Sequence, residues 1–292
     1  MNTTRRNFLL GPCALFFLES ALAADCVDAK PLRFALIPKK NTETQLIEYR
    51  PLIEVLEKIL ERRVVIVHAT SYGAVVEGLL AGSIDLAELG PASYAQAKAQ
   101  DTHITAFASF SQLSGPHTKS GSHYRSLLIV RRDKGFDSIA SLRNARVSLV
   151  DPASTSGYLL PRQAITQLTQ IPLERYFGRI TFAGSHDRAI QTVQKGIVDA
   201  AFVSSNRLDE ALRRNTLRPD EVKILWESSP ISYDPFVYRG QLCQPLIDKI
   251  KQAFFLNNAN LQAMFRSLNM EGFARVSDDN YREIREIYAA RL

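Results

Sequence analysis

The chain repeats itself, and the repetition limits its fold more than any other feature. Arg33-Phe-Ala-Leu-Ile-Pro38 has a counterpart 113 residues on, in Arg146-Val-Ser-Leu-Val-Asp-Pro152. Ser71-Tyr72 leads after eleven positions to Gly82-Ser-Ile-Asp-Leu-Ala87. Ser185-His186 leads after the same eleven positions to Gly196-Ile-Val-Asp-Ala-Ala201, an offset of 114. One such match arises easily by chance, but strand, helix and turn keeping register together does not. Two copies at so long a period exclude a solenoid array and imply two similar lobes.

Within the first copy, Leu32 to Ile37 reads as a strand stopped by Pro38. Residues 44–60 carry apolar side chains at helical spacing (Leu46, Ile53, Leu56, Ile59, Leu60), with Thr42 or Thr44 as cap. Val64 to His68 is a second strand, Tyr72 to Ala81 a helix broken at Gly82, and Ile84 to Leu89 a third strand. That alternation predicts an α/β fold, each lobe a mainly parallel sheet with helices on both faces. Ligands of such sheets sit beyond the carboxyl ends of the strands. The repeat therefore puts Tyr72 and His186 at equivalent helix starts there, and Gly90-Pro-Ala-Ser-Tyr94 and Ser204-Ser-Asn206 at equivalent ends of the third strand. Asp151 to Gly157 matches the loop after Pro38. If the lobes face each other, these residues converge on one cleft. Gly115 to Gly121 reads as surface loop, Tyr124 to Arg131 as a strand crossing between lobes, and Ser228 to Pro235 as the second crossing. The tail from Leu242 is helical in pattern and should pack on the first lobe. The expected division is 30–122 with 232–292 in lobe 1, and 123–231 in lobe 2.

The stretch Asp151-Pro-Ala-Ser-Thr-Ser-Gly-Tyr158 carries the most suggestive chemistry. It follows the apolar run Arg146 to Val150 and precedes an amphipathic stretch, Leu159 to Leu168. Three hydroxyls stand where a helix offers unsatisfied N–H groups and partial positive charge, and Gly157 lets the backbone approach a bound group. That suits a small tetrahedral oxyanion. On these residues alone, an ordinary Ser/Thr helix cap is the commoner explanation.

The first residues are a leader rather than part of the fold. Arg5 and Arg6 precede an apolar run from Phe8 to Leu18, and Ala21-Leu-Ala23 offers small residues for cleavage, giving an export signal over 1–23. Its twin arginines fit either a twin-arginine or a general secretory route, and both lead to the periplasm. Cys26 and Cys243 then remain as an even pair that an oxidising compartment allows to bridge. The formal charge of +6 suits an anionic ligand, but Arg62-Arg63, Arg131-Arg132 and Arg213-Arg214 are scattered among acids, so nucleic-acid binding is not expected. No other apolar run is long enough to span a bilayer, so membrane contact should come only through a partner. His103, His117 and His123 lack metal-ligand spacing, and no nucleotide loop is present, so neither metal nor cofactor is expected. Ser154 with His186 as nucleophile and base lacks a G-x-S-x-G elbow and an orienting acid, so the chain does not read as an enzyme.

Together these segments resemble the phosphonate- and phosphite-binding proteins of ABC importers, which have the two-lobed type II periplasmic-binding-protein fold. The resemblance rests on Gly90-Pro-Ala-Ser-Tyr94, Tyr124-Arg-Ser-Leu-Leu-Ile-Val130, Asp151 to Tyr158 with Pro161, Gly184-Ser-His-Asp187 and Gly196-Ile-Val-Asp-Ala200. It implies that Ser154, Thr155 and Ser156 bind phosphonate oxygens with backbone N–H groups. It further implies that His186 donates a hydrogen bond, and that Tyr72 and Tyr94 close the pocket from the first lobe. Members that bind aminoalkylphosphonates place carboxylates near the ligand ammonium. Asp234 matches one such position, while the other is the neutral Asn206. That departure favours a smaller ligand, such as phosphite, methylphosphonate or phosphate, with Asp234 accepting from a protonated ligand oxygen. The expected partner of this monomer is an ABC permease, or alternatively the periplasmic domain of a sensor kinase that reads the closed state.

Overall fold

The computed structural model describes residues 26–290, so the leader expected over 1–23 lies outside the described residues. Cys26 and Cys243 are joined by a disulfide, and Val27 bridges Leu242 beside it. The chain then runs through β1 (Leu32–Leu36), α1 (Thr42–Leu60), β2 (Val64–Val67), α2 (Tyr72–Leu80), β3 (Leu86–Glu88), α3 (Pro91–Gln100) and β4 (Thr105–Gln112). Strand alternation sends Leu32, Phe34 and Leu36 of β1 to one face, against α1. Ala35 and the following Ile37 go to the other, against α2. The cap of α1 is Asn41, whose Oδ1 accepts from the Thr44 amide at 3.1 Å. Thr42 and Thr44 are already helical, so neither hydroxyl holds the capping place.

A short ribbon strand, β5 (His123–Tyr124), leads into the second copy. That copy comprises β6 (Ser126–Arg131), β7 (Arg146–Leu149), a π-helical turn (Thr155–Leu159), α4 (Leu160–Thr169), α5 (Leu173–Tyr176), β8 (Arg179–Phe182), α6 (His186–Gln194), β9 (Ala200–Ser204), α7 (Ser205–Arg213) and β10 (Val222–Glu227). The return is β11 (Ile231–Ser232), β12 (Pro235–Tyr238), α8 (Gln244–Phe255), α9 (Ala259–Leu268), β13 (Met270–Arg275) and α10 (Arg282–Ala289). The crossing expected as one strand from Tyr124 is split, because the Arg125 amide donates to Ser205 Oγ instead of a strand partner. Tyr124 thus belongs to β5, which pairs antiparallel with β11 between the two sheets. The tail is also less helical than its pattern suggests. Asn269, at φ 58°, ends α9 and turns the chain back so that β13 adds to β4.

The six-stranded sheet has the order β13-β4-β12-β3-β1-β2, and the five-stranded sheet β10-β6-β9-β7-β8. In the first, β1 lies between β2 and β3, and in the second β7 lies between β8 and β9, all parallel. The repeated residues hold this register. Arg33 donates its amide to Asp85 at 2.9 Å and forks the same carboxylate at 2.7 and 2.8 Å. Arg146 repeats all three bonds to Asp199, at 2.8, 2.7 and 3.1 Å. Gly82 and Gly196 both sit at φ +69°, the left-handed turn that a side chain would strain. Behind each sheet lies its own apolar cluster. Between the sheets a third cluster is continuous, running from Ile37, Val75 and Leu89 to Val150, Ile190 and Val203. The site is set into it.

Candidate functional site: a closed cleft between the lobes

The loops beyond β1, β3, β7 and β9 enclose a small cavity. Ile37, Lys39, Tyr72 and Gly90 wall it on one side, and Ser154, Thr155, His186, Ser204 and Asn206 on the other. Tyr124, Tyr233 and Asp234 complete it from the crossings. About 10 Å³ is open to the centre of a water-sized sphere, the scale of one small occupant. A wider chamber of about 340 Å³ lies beyond Lys39, Asn206 and Tyr233. Its walls include Phe110, Leu113, Leu268 and Met270, and the hydroxyl loop does not reach it.

The hydroxyl loop is fixed from within. Ser154 Oγ accepts from the Gly157 amide at 3.1 Å, which makes it the cap of the π-helical turn. Capping uses a lone pair and leaves the hydroxyl hydrogen, so a cap and an anion donor are compatible roles for one serine. Thr155 Oγ1 accepts from the Ala92 amide at 2.8 Å, across the cleft, likewise through a lone pair. Ser156 is fully buried but is not among the wall residues, and its Oγ lacks a hydrogen-bond partner. Gly157 is required by crowding of another kind than a ligand's approach. A Cβ there would lie 2.4 Å from Val150 Cβ and 2.9 Å from Ser154 Oγ.

His186 is the first residue of α6; the cap is Ser185, whose Oγ accepts from the Arg188 amide at 3.3 Å. The Ser204 amide lies 3.1 Å from His186 Nδ1. An amide only donates, so Nδ1 must accept and the proton belongs on Nε2. Burial, with Arg207 and Lys39 nearby, lowers the imidazole to about 3, so it is a neutral donor. Tyr72 stands in the same place on α2, after the capping Ser71. Its hydroxyl is buried without a hydrogen-bond partner, an orphan that a bound acceptor would satisfy. Burial and the charge of Asp234 push the phenol well above its usual range, which keeps its proton in place.

Asp234 lines the cavity, and burial raises it to about 6. Lys39 opposes that rise and Glu88 adds to it. Lys39 Nζ is 3.1 Å from Asp234 Oδ2 and 2.7 Å from Glu88 Oε1. Glu88 Oε2 in turn accepts from the Tyr49 hydroxyl at 2.7 Å. Asn206 Nδ2 donates to the Tyr233 hydroxyl at 3.1 Å. Of the residues the resemblance singles out, Ser154, Thr155, His186, Tyr72, Asp234 and Asn206 stand together in the walls. Tyr94 does not. Its hydroxyl donates to Asp278 Oδ1 at 2.9 Å and its ring meets Tyr281 edge-on, which holds it under α3 and away from the cavity.

Sequence reasoning missed Lys39 and the closing contacts. Asp151 Oδ2 accepts from the Tyr72 amide at 3.2 Å, while Oδ1 accepts from the Ala153 amide at 2.8 Å. Ser93 Oγ donates to the Ala153 carbonyl at 2.9 Å. Toward the rim, Glu48 of α1 pairs with Arg214 beyond α7 and with Lys40. The lobes are therefore shut on each other by polar bonds as well as by the apolar cluster. Among the described residues, no group of three or more His, Cys, Asp or Glu is arranged to hold a metal, and no helix is long and apolar enough to cross a membrane.

Two α/β lobes joined by two crossings, with ligand groups at facing strand ends, define a type II periplasmic binding protein. The fold aligns with a Pseudomonas aeruginosa structure titled as a binding protein component of an ABC phosphonate transporter. The TM-score is 0.79 and the identity 23%, over 88% of this chain and 84% of that one. It also aligns with PhnD1 of Prochlorococcus marinus in complex with methylphosphonate, with a TM-score of 0.77 and 21% identity, over 89% and 97%. Residues 34–281 match the family of periplasmic substrate-binding proteins of phosphonate ABC transporters, and the chain belongs to that family. Among curated relatives, the phosphate-import protein PhnD of Mycolicibacterium smegmatis is 30% identical, over 85% of this chain and 78% of its own length. The phosphonates-binding periplasmic protein of Escherichia coli is 27% identical, over 88% and 76%.

Proposed function

We propose that this chain captures a small phosphorus oxyanion (phosphite, a short phosphonate or phosphate) in the closed cleft and delivers it to an ABC permease, without chemical change. The observation that carries this reading is the convergence of neutral donors on one small interlobe space. Ser154 and Thr155 each accept a backbone amide through a lone pair, a role compatible with turning the hydroxyl hydrogen to a bound acceptor. His186 presents Nε2–H, and the buried Tyr72 hydroxyl has no partner of its own. Hydrogen bonds to a charged group contribute about 1.5–3 kcal/mol each. Four of them, less the cost of association, are compatible with a micromolar Kd of about −8 kcal/mol. The family's place in ABC transporters favours an importer over a sensor kinase as the partner.

The ligand preference is drawn from chemistry and from relatives whose names include phosphate and phosphite. Thermal shift followed by calorimetry on phosphite, phosphate, methylphosphonate, 2-aminoethylphosphonate and sulfate tests it, since a ligand bound only by the folded state raises Tm. A Tm rise with at least one of the first three, with ligand recovered unchanged after long incubation, is expected. No response to any phosphorus anion, or steady turnover, would overturn it.

A further inference from the structure

The cavity contains a cation that the chain supplies itself. Lys39 Nζ stands between Asp234 and Glu88, at 3.1 and 2.7 Å, with its side chain 9% exposed. Both carboxylates are buried, and Asp234 faces the cavity. The lysine also lies 5.6 Å from the Tyr233 ring centre, so an aromatic face and two acids surround one ammonium. Resting on the functional reading above, we infer that Lys39 is a specificity residue: its ammonium occupies the place a ligand amine would take, so the site accepts oxyanions without a positive charge and rejects aminoalkylphosphonates.

Three observations converge on this. A buried carboxylate needs a cation or a proton, and Asp234 and Glu88 already share one built into the chain. A second ammonium entering the same space would meet Lys39 with like charge and without a free carboxylate. Two of the three N–H groups of Lys39 are taken by the acids, which leaves the third for the anion on the cavity side. The same lysine therefore neutralises Asp234 against the anion and closes the position to an amine. The neutral Asn206 on the facing wall, bound to Tyr233, adds no negative charge that would offset this.

The test uses the full mature chain, wild type and Lys39→Ala, with four probes: phosphite, methylphosphonate, 2-aminoethylphosphonate and propylphosphonate. The last two match in size and differ in charge. For wild type, the expected result is aminoethylphosphonate binding at least a hundredfold weaker than the tighter of phosphite and methylphosphonate. In Lys39→Ala that ratio should narrow at least tenfold, with aminoethylphosphonate gained and propylphosphonate not. Added methylammonium should restore phosphite binding to the variant. If Lys39→Ala does not fold by circular dichroism and melting, Lys39→Ala with Glu88→Gln carries the same test with one buried charge fewer. Equal gains for both long probes would mean that the lysine only fills space, and would overturn the inference. So would wild-type protein that binds aminoethylphosphonate within threefold of phosphite or methylphosphonate. A wild type that binds no phosphorus anion overturns the functional reading as well, whereas binding with the wrong preference overturns the role of Lys39 alone.

Discussion

The two copies of the repeat keep the same scaffold and differ at their strand ends. Each retains the Arg–Asp fork beneath the first strand, the left-handed glycine, and a serine cap one residue before the cleft residue. Beyond β1 the first copy continues into Pro38-Lys39-Lys40, while beyond β7 the second continues into seven residues rich in hydroxyls. One side therefore brings an ammonium and a phenol, and the other brings hydroxyls and a neutral imidazole. Residues that set register were free to stay alike, because both sheets need the same geometry. Residues at the strand ends face one another, and only complementary chemistry holds an anion between them.

The largest expected effect breaks the second copy's side of that comparison. Ser154→Ala with Thr155→Val removes two donors to a charged ligand, at about 1.5–3 kcal/mol each, so calorimetry should show affinity falling by about 10²–10⁴. Next comes an asymmetry of stability. Only the first copy's side is closed by the Cys26–Cys243 bridge, across 217 residues of sequence. Cys26→Ser with Cys243→Ser should lower unfolding free energy by about 2–4 kcal/mol in denaturant titration, with Kd unchanged. A sharper comparison sets two tyrosines of one lobe against each other. Tyr72→Phe should weaken binding by about tenfold or somewhat more, while Tyr94→Phe, which loses its bond to Asp278 away from the cavity, should leave Kd within about threefold.

The smallest effect is a slope. With Asp234 raised to about 6, its carboxylate is ionised above that pH, and although Lys39 offsets part of that charge, an anion bound beside it favours uptake of a proton. Affinity should fall as pH rises past 6, by at most about tenfold per unit. Asp234→Asn should remove that component. His186, lowered to about 3, should add no inflection between pH 5 and 8. A matching slope in the Asn variant would show that the ligand's own titration accounts for it.

Much of this architecture was legible because local pattern and long-range role coincide. The offset of the two copies pointed to two similar lobes with mainly parallel sheets, and hydroxyls before a helix pointed to the loop that now lines the cavity. Lys39 was not legible in that way. A lysine after Pro38 reads as solvated surface, and its acids arrive from β3 and the segment before β12, far apart in sequence. Tyr94 failed for the opposite reason. It belongs to a matching motif, yet Asp278 and Tyr281 at the end of the chain decide where its ring lies. The strand Met270–Arg275 was hidden because its partner β4 lies some 160 residues earlier, as in the bond from Ser111 to Glu271.

The amides of Tyr72 and Ala92 are already met across the gap by Asp151 and Thr155. An unloaded molecule can therefore visit the shut form without leaving those donors dry. On the functional reading proposed above, cargo would then act by lengthening the stay in a shape that exists beforehand. A membrane partner that gauged outline alone would then engage vacant carriers too, and on that reading discrimination would come from how long the jaws remain together.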